Sequence, residues 1–295
     1  MRGDGDGWVH AADGSRRWGH HGAAGLLLRA PGPDGTVVLL QHRAAWSHHG
    51  GTWGIPGGAR DSDETPVQGA LREAAEEAGL RAGDVSVRTA RVTAGHAPGW
   101  SYTTVVADAA SPLALTADHE SDELRWVPED DVDAVPLHPS FALAWPQLRA
   151  RPVQLLLDTA NVLGSRPDGW WRDRAGATTT LLRRVRDAVP RTVELPDGSF
   201  VRVEGVTAVV EGAARAVDVE GARLHRAPGS GDDELVRVAT GDHVVVTADR
   251  GLRARLGAGV AVVGPSAVRA WLDEPARVQE PDQRWATLER RPGEV

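Results

Sequence analysis

The 295-residue sequence contains no cysteine and no lysine. The absence of cysteine excludes disulfides and thiolate metal sites, so that carboxylates, histidines and backbone oxygens are the available metal ligands. All 33 basic residues are consequently arginine. The first 20 residues also lack a long apolar run, which argues against a signal peptide or membrane anchor there. We therefore expect a cytoplasmic protein with no membrane partner.

Net positive charge is also lacking, and the two halves of the chain differ in this respect. Residues 1–150 carry 12 arginines against 20 acidic residues, whereas residues 151–295 carry 21 of each. An acidic half repels polyanions unless it holds a divalent cation, and a neutral half lacks the basic excess of a general nucleic-acid binder. Neither half has the charge of a DNA-binding module.

The length exceeds that of one ordinary domain and predicts two. We expect a flexible tail over residues 1–21, a mixed α/β domain over 22–150 and a second α/β domain over 151–295. In the first domain the patterns predict a hairpin (25–29 with 36–41), a helix (66–78), three strands (85–93, 102–107, 123–127) and a closing helix (140–149).

Strands and helices alternate in the second half of the chain. Apolar strands are predicted at 153–157, 208–210, 244–247 and 260–263, helices at 177–189, 232–239 and 266–272, and a hairpin turn at 195–198. Such alternation is typical of a doubly wound, mostly parallel sheet.

The helix predicted at 66–78 has an apolar face and a carboxylate face. Thr65 suits its N-cap and Gly79 its C-terminal end. Glu73, Glu76 and Glu77 are three and four residues apart, so they share one face. Like charges at this spacing destabilise a helix unless a cation binds them. A solvated acidic face is the usual explanation of such a run, but the flanking residues favour a metal site.

The flanking residues complete a specific pattern. The chain reads Gly58-x5-Glu64-x7-Arg72-Glu73-Ala74-x-Glu76-Glu77-x-Gly79-Leu80. This resembles the complete signature box of the Nudix hydrolase family, with Ala74 in a slot that usually holds a larger aliphatic residue. The resemblance implies an α/β/α sandwich with a mixed sheet, and a hydrolase that cleaves a diphosphate linkage in a nucleotide-like substrate.

The resemblance also implies roles for single residues. Glu73, Glu76 and Glu77 would bind Mg²⁺, with Mn²⁺ as the alternative ion, together with the backbone carbonyl of Gly57 or Gly58. Arg72 would orient these carboxylates, and Glu64 would support the loop and helix from behind them.

Family members often carry a further catalytic glutamate on a later loop. Glu120 and Glu123 are the candidates here. We favour Glu120 as the base, although Glu123 stays open because it could simply belong to the strand that holds Trp126. The neighbouring loop histidines, His48, His49 and His96, we interpret as solvated side chains and not as ligands.

The box does not identify the substrate. A nucleoside triphosphate pyrophosphohydrolase of MutT type is the default expectation, by analogy with the family. A homodimer stays open. The competing class is a nucleotide-sensing or RNA-binding protein in which the Nudix domain only recognises its ligand, and the intact set of glutamates argues against it.

The second half resembles NYN or PIN-like nuclease domains. Asp158 and Asn161 follow a buried strand, Asp232 and Asp233 open a helix, and Asp249 follows another strand. Carboxylates at strand ends in a parallel sheet are placed to bind a metal. The resemblance implies a domain that binds or cleaves RNA. It leaves open a third reading, a metal-dependent ribonuclease regulated by a nucleotide-sensing Nudix domain.

A tryptophan pair in the second half has two interpretations. Trp170 and Trp171 lie beside Arg172 and Arg174. They could stack a base while the arginines hold a phosphate, or they could pack into the core.

Overall fold

The computed structural model describes residues 3–10, 14, 16–95 and 99–273. His96 lies outside the described residues. The described chain forms two compact units, one ending at Pro146 and the other starting at Gln147. The division falls inside a helix, a few residues before the boundary predicted at Arg151-Pro152. Among the described residues, no helix has the length and apolar character needed to cross a membrane.

The first unit contains nine strands and two helices among its described residues. They are β1 (Trp8–His10), β2 (Arg16–Trp18), β3 (Ala23–Gly32), β4 (Gly35–Arg43), β5 (Trp53–Gly54), β6 (Gly57–Ala59), α1 (Pro66–Ala78), β7 (Val85–Gly95), β8 (Ser101–Ala109), β9 (Ser121–Pro128) and α2 (Pro139–Leu148). Seven strands form a mixed sheet in the order β5-β4-β3-β8-β7, with β6 also paired to β3 and β9 to β4. Only the pairing of β3 with β8 is parallel within it.

Helix α1 packs on one face of this sheet. Its apolar face, with Ala70, Leu71 and Ala74, is buried against Leu26 and Leu28 of β3 and against neighbouring residues of β8. The small side chain of Ala74 is fully buried, so the helix lies close to the sheet. The predicted hairpin of β3 and β4 and the predicted helix are both confirmed, the helix at the same residues.

The segment predicted as a tail differs from that expectation. β1 and β2 pair antiparallel, with Trp8 opposite Trp18. The Gly5 N–H donates to Asp61 Oδ1 at 3.0 Å, and the Ser62 N–H donates to Asp4 Oδ1 at 2.9 Å. These bonds attach the segment to the loop before α1.

The second unit is built on one six-stranded sheet. Its elements are β10 (Arg151–Asp158), α3 (Thr159–Gly164), α4 (Arg174–Asp187), β11 (Arg191–Glu194), β12 (Phe200–Val210), β13 (Ala222–Arg226), α5 (Gly231–Val238), β14 (His243–Val246), α6 (Arg250–Arg255), β15 (Ala261–Val263) and α7 (Pro265–Asp273). The order is β11-β12-β10-β14-β15, with β13 also on β12. All pairings are parallel except that of β11 with β12.

Both faces of this sheet are covered. Leu155 and Leu157 face a core shared with Leu182 of α4, whereas Leu156 faces a second core with Leu235 of α5 and Leu252 of α6. Side chains alternate between faces along a strand, which explains this division. The doubly wound, mostly parallel sheet expected for this half is therefore present.

Three elements of this unit were not predicted. Strand β13 has no fully buried residue, because it lies at the sheet edge beside β12, so it lacks the apolar run that marks a strand. Helices α3 and α6 have six residues each, too few to show a helical period.

Candidate active site

The local sequence fixes α1 at both ends. Thr65 and Gln68 form a reciprocal capping box, and Pro66 opens the helix. Gly79 adopts φ 66° and donates to the carbonyls of Ala74 and Ala75, a left-handed ending that glycine tolerates best. These caps fix where the helix begins and ends, and the burial of its apolar face against the sheet leaves the glutamates on the opposite side.

The carboxylate face of α1 meets the loop around β6. The Gly57 N–H donates to Glu77 Oε2 at 2.8 Å, and Glu77 is buried. Gly58 approaches Glu73 so closely that a Cβ there would lie 2.6 Å from Glu73 Oε1. Glycine at position 58 therefore lets the backbone approach Glu73 closely, near the segment predicted to offer a Gly57 or Gly58 carbonyl.

Arg72 connects the carboxylates to one another. Its Nε and Nη2 donate to Glu64 Oε1 and Oε2 at 2.7 and 3.0 Å. Its Nη1 donates to Glu73 Oε1 at 2.9 Å and to Glu76 Oε2 at 3.2 Å. Nη2 also donates to the carbonyl of Ala59 at 2.8 Å. A guanidinium can hold this many acceptors because its donors form a planar fork.

Burial disfavours negative charge on two of the glutamates. It raises the pKa of Glu73 to about 7, against the opposing effect of Arg72. It raises the pKa of Glu77 to about 8, with the charge of Glu73 acting in the same direction. The pKa of Glu64 is lowered instead, because its bonds to Arg72 outweigh burial. A divalent cation bound between these two carboxylates would stabilise their ionised forms and so lower both pKa values.

The carboxylate oxygens of Glu73, Glu76 and Glu77 do not all lie within 4.8 Å of one another. Among the described residues, the three that bring ligand atoms within 4.8 Å of one another are His48, His49 and His138. Glu73 and Glu76 are drawn to Arg72, while Glu77 is held by Gly57. Arg72 engages Oε1 of Glu73 and Oε2 of Glu76, which leaves one oxygen of each carboxylate outside these two bonds.

The two candidates for the base have different environments. Glu123 lies on β9 and pairs with both ends of the Arg125 fork at 2.8 and 2.7 Å. Glu120 lies just before β9, is half exposed, and has the ring of His119 at 4.0 Å as the ionisable neighbour of its carboxylate among the described residues. Glu120 is therefore the freer carboxylate to accept a proton.

A polar chain that the sequence did not reveal supports Glu77 from behind. The buried Gln41 on β4 hydrogen-bonds to Glu77 and donates to Ser121 Oγ at 2.6 Å. Ser121 Oγ in turn donates to Asp118 Oδ1 at 3.1 Å, and the Asp118 N–H donates to the carbonyl of Glu77. These contacts join three separate segments, so no local motif could have indicated them.

In the second unit, Asp158 occupies the carboxyl end of β10. It is buried, accepts from the Asn161 N–H at 3.0 Å and from the Thr247 hydroxyl at 2.9 Å, and its pKa is raised by burial and by Asp232 and Asp249. Asn161 Oδ1 accepts from the Ala248 N–H at 2.8 Å. The ends of β10 and β14 thus meet, as expected for parallel neighbours.

Two more of the predicted residues of this unit, Asp249 and Asp233, have structural partners. Asp249 caps α6 by accepting from the Leu252 N–H at 2.8 Å. Asp233 forms an ion pair with Arg255. Trp170 packs against the core, with Arg174 5.0 Å from its ring, whereas Trp171 is 56% exposed. The tryptophan pair is therefore divided between the two interpretations.

Comparison with known proteins matches residues 19–146 to the NUDIX domain. A Mycobacterium tuberculosis protein named "Putative 8-oxo-dGTP diphosphatase 3" is 50% identical over 208 residues, which cover 68% of this chain and 85% of that protein. A share this large must extend past residue 146 into the second unit.

Two further matches each cover about half of this chain. A Nudix hydrolase from M. smegmatis, RenU, has a crystal structure that is 60% identical and covers 48% of this chain and 91% of that one, with a TM-score of 0.46. A nucleoside triphosphate pyrophosphatase and Nudix hydrolase fusion protein from Bifidobacterium longum is 46% identical over 155 residues, half of this chain and 31% of that protein.

Proposed function

The chain belongs to the Nudix family and is a hydrolase of phosphoric anhydrides, and from this premise we propose that it is a Mg²⁺-dependent pyrophosphohydrolase of nucleoside di- and triphosphate derivatives. The observation that carries the proposal is the carboxylate face of α1. Buried Glu77 and half-buried Glu73 meet the glycines of β6, where the Gly57 N–H donates to Glu77 and Arg72 donates to Glu73.

The side chains present fit a hard cation that prefers oxygen ligands. Glu73, Glu76 and Glu77 would hold it together with a carbonyl of the Gly57-Gly58 segment, and substrate phosphate oxygens would complete its shell. When bound, the cation neutralises charge that develops on phosphorus and lowers the pKa of water. Glu64 and Arg72 act by positioning, because their bidentate pair anchors the start of the box to α1.

Glu120 is proposed as the general base. It would accept a proton from the water that attacks phosphorus, while the P–O–P bond breaks and the leaving phosphate takes the electron pair. Glu120 lies in the segment whose backbone meets the end of α1, since the Asp118 N–H donates to the carbonyl of Glu77 at 3.1 Å. Glu123 is less suited, because Arg125 engages both of its oxygens.

For the substrate, the named mycobacterial relative makes 8-oxo-dGTP the first compound to test. The purified chain would be incubated with Mg²⁺ and a panel that includes 8-oxo-dGTP, ordinary nucleoside triphosphates, nucleotide sugars, ADP-ribose and dinucleoside polyphosphates, and products would be read by mass spectrometry. We expect cleavage within the phosphate chain of at least one panel member.

The matched variants are Glu77→Gln and Glu220→Gln. The first removes a proposed ligand without changing its shape, so turnover should fall by two or more orders of magnitude. The second changes an exposed glutamate of the second unit in the same way and should leave turnover unchanged. Equal turnover in both variants would refute the site assignment.

A second activity is proposed for the second unit, metal-dependent binding or cleavage of RNA. The supporting observation is Asp158, a buried carboxyl at the end of a central parallel strand with a raised pKa. Short RNA would be incubated with Mg²⁺ or Mn²⁺ and with wild type, Asp158→Asn and Glu77→Gln. Cleavage that is lost only in Asp158→Asn supports this activity. If the wild type neither cleaves RNA nor binds it in a salt-dependent way, the proposed activity is refuted.

A further inference from the structure

Three histidines outside the carboxylate site lie together in the first unit. His48 and His49 belong to the loop between β4 and β5, and His138 immediately precedes α2. The rings of His48 and His49 are 4.1 Å apart between centroids, and those of His49 and His138 are 4.8 Å apart. One nitrogen from each ring lies within 4.8 Å of the other two.

The backbone holds the two segments in place. The His138 N–H donates to the carbonyl of Trp53 at 2.7 Å, and the Trp53 N–H donates to the carbonyl of Pro136 at 2.8 Å. Arg43 holds the loop that carries His48 and His49. Its backbone N–H donates to the carbonyl of Thr52 at 2.9 Å, and its side-chain Nε donates to the backbone carbonyl of His48 at 3.1 Å. Hydrogen bonds to the backbone therefore hold both histidine segments in position.

His49 has an unusual backbone. Its φ is 57°, a left-handed conformation that non-glycine residues rarely adopt. The Thr52 hydroxyl holds it by donating to the carbonyl of His49 at 2.6 Å. In this conformation the His49 ring contacts the rings of both His48 and His138. Strained residues of this kind concentrate at functional sites.

The surroundings lower the pKa of two of the three rings, those of His48 and His138. Burial lowers the pKa of His138 to about 4, with His49, Arg43 and His48 acting in the same direction. Burial, His49, Arg43 and Arg16 lower the pKa of His48. Among the described residues, none of the three rings pairs with a carboxylate. Neutral imidazoles present lone pairs, the form in which histidine binds metals.

We propose that His48, His49 and His138 form a second metal site, separate from the glutamates of α1, for a divalent transition metal such as Zn²⁺. The positive charge of nearby Arg43 repels cations, so a bound ion must gain its affinity from strong bonds to imidazole nitrogen. Transition metals form such bonds, whereas Mg²⁺ and Ca²⁺ prefer oxygen ligands. The chain has no cysteine to add a thiolate, so the three imidazole nitrogens are the protein ligands. Water or a ligand oxygen completes the coordination shell.

One existing bond must break when the ion binds. The Ser140 N–H donates to His138 Nδ1 at 3.2 Å. A metal on Nδ1 displaces this bond, and a metal on Nε2 moves the ring proton to Nδ1, which then faces the donor. The bond is long, so this cost is small compared with three metal–nitrogen bonds.

The test uses the full chain, stripped of metal, without a polyhistidine tag and in excess Mg²⁺. Calorimetric titration with Zn²⁺ should show one site that Mg²⁺ does not block. His49→Gln and His138→Gln should each weaken Zn²⁺ binding at least about tenfold. The matched control His119→Gln changes a ring that is 82% exposed and lies outside the cluster, and it should bind Zn²⁺ as wild type does.

Glu77→Gln separates this site from the proposed catalytic one. It should keep the Zn²⁺ site even where it abolishes hydrolysis. Loss of Zn²⁺ binding in Glu77→Gln, or unchanged binding in both histidine variants, would overturn the proposal. X-ray absorption of the Zn²⁺-loaded wild type gives a reading independent of variant folding, since imidazole scattering supports the site and an oxygen-only shell refutes it.

Discussion

Arg72 and Glu64 face each other fork to fork, with Nε to Oε1 at 2.7 Å and Nη2 to Oε2 at 3.0 Å. They are eight positions apart in the chain, and the pair joins the loop before α1 to the middle of the helix. Such bidentate pairs combine charge with fixed geometry. The pair holds the segment in which Gly57 and Gly58 meet Glu77 and Glu73.

Arg72→Lys should damage the site while keeping its charge, because an ammonium cannot make parallel bonds to both oxygens of Glu64. We expect hydrolysis to fall about 10- to 100-fold, as for other partners that orient metal ligands. Stability should fall by about 1 to 2 kcal/mol. Activity against Mg²⁺ concentration and urea unfolding are the measurements. The control is Arg81→Lys, at an 81% exposed side chain. Wild-type values for Arg72→Lys would contradict the orienting role.

Glu77→Gln should lose hydrolysis yet stabilise the metal-free fold. The pKa of Glu77 is raised to about 8 by burial, so the folded state holds a proton that the unfolded state releases above about pH 4.5. Wild-type stability therefore falls as pH rises from about 4.5 to 8. Glutamine has no such loss, and its advantage near pH 8 should be on the order of 2 kcal/mol.

This trade-off can be measured by urea unfolding at pH 5 and pH 8, with EDTA or with Mg²⁺. Mg²⁺ should restore wild-type stability and do little for the variant. Glu76→Gln is the matched control, since its side chain is 62% exposed and its removal relieves no burial. A Glu77→Gln chain less stable than wild type at pH 8 in EDTA would show that the buried carboxylate is not the destabilising group.

Much of the catalytic site could be predicted from the sequence because its determinants are local. Thr65, Gln68 and Gly79 fix the limits of α1, and the spacing of three glutamates then fixes their common face. The resemblance to the Nudix box added Glu64 and Arg72, whose contact the structure shows.

Contacts between distant segments could not be predicted in this way. Gln41 reaches Ser121 across 80 residues, and His138 joins His49 across a similar separation. Each of these residues taken alone is an ordinary polar side chain in a strand or loop. Which of them meet depends on the pairing of β4 with β9 and on the path of the chain before α2, and the hydrophobic pattern does not encode either.

Asp158→Asn should stabilise the second unit at neutral pH. Burial raises the pKa of Asp158, so the carboxyl destabilises the fold increasingly as pH rises above about 3.8, the ordinary pKa of an aspartate. Asparagine keeps an acceptor for the Asn161 N–H. The gain should therefore be present at pH 7 and shrink toward pH 4.

Hydrogen exchange of the β10 amides, read by mass spectrometry, reports on this unit alone. Asp218→Asn, at an 88% exposed side chain, is the control and should leave exchange unchanged. Faster exchange in Asp158→Asn at pH 7 would mean that the hydrogen bonds to Asp158 outweigh its burial. The carboxyl would then be structural, and the case for a metal site at the end of β10 would weaken.

Gly57→Ala and Gly58→Ala should separate folding from catalysis at neighbouring positions. A Cβ at Gly57 would lie 2.5 Å from the carbonyl oxygen of Ala24 and closer still to the Cα of Gly25, both backbone atoms of the paired strand β3. Neither can move without breaking the pairing of β6 with β3. We therefore expect Gly57→Ala to destabilise the first unit by about 1 to 3 kcal/mol.

At Gly58 the Cβ would meet the Glu73 carboxylate, 2.6 Å from Oε1, and that side chain can rotate away. Gly58→Ala should therefore keep near-normal stability while it moves Glu73 from its position beside Arg72, with hydrolysis falling about tenfold or more because a displaced ligand weakens metal binding. Urea unfolding and Mg²⁺-dependent turnover of both variants test this contrast. If Gly58→Ala hydrolysed its substrate at the wild-type rate, Glu73 would not need its observed place, and the metal site would have to rest on Glu76 and Glu77.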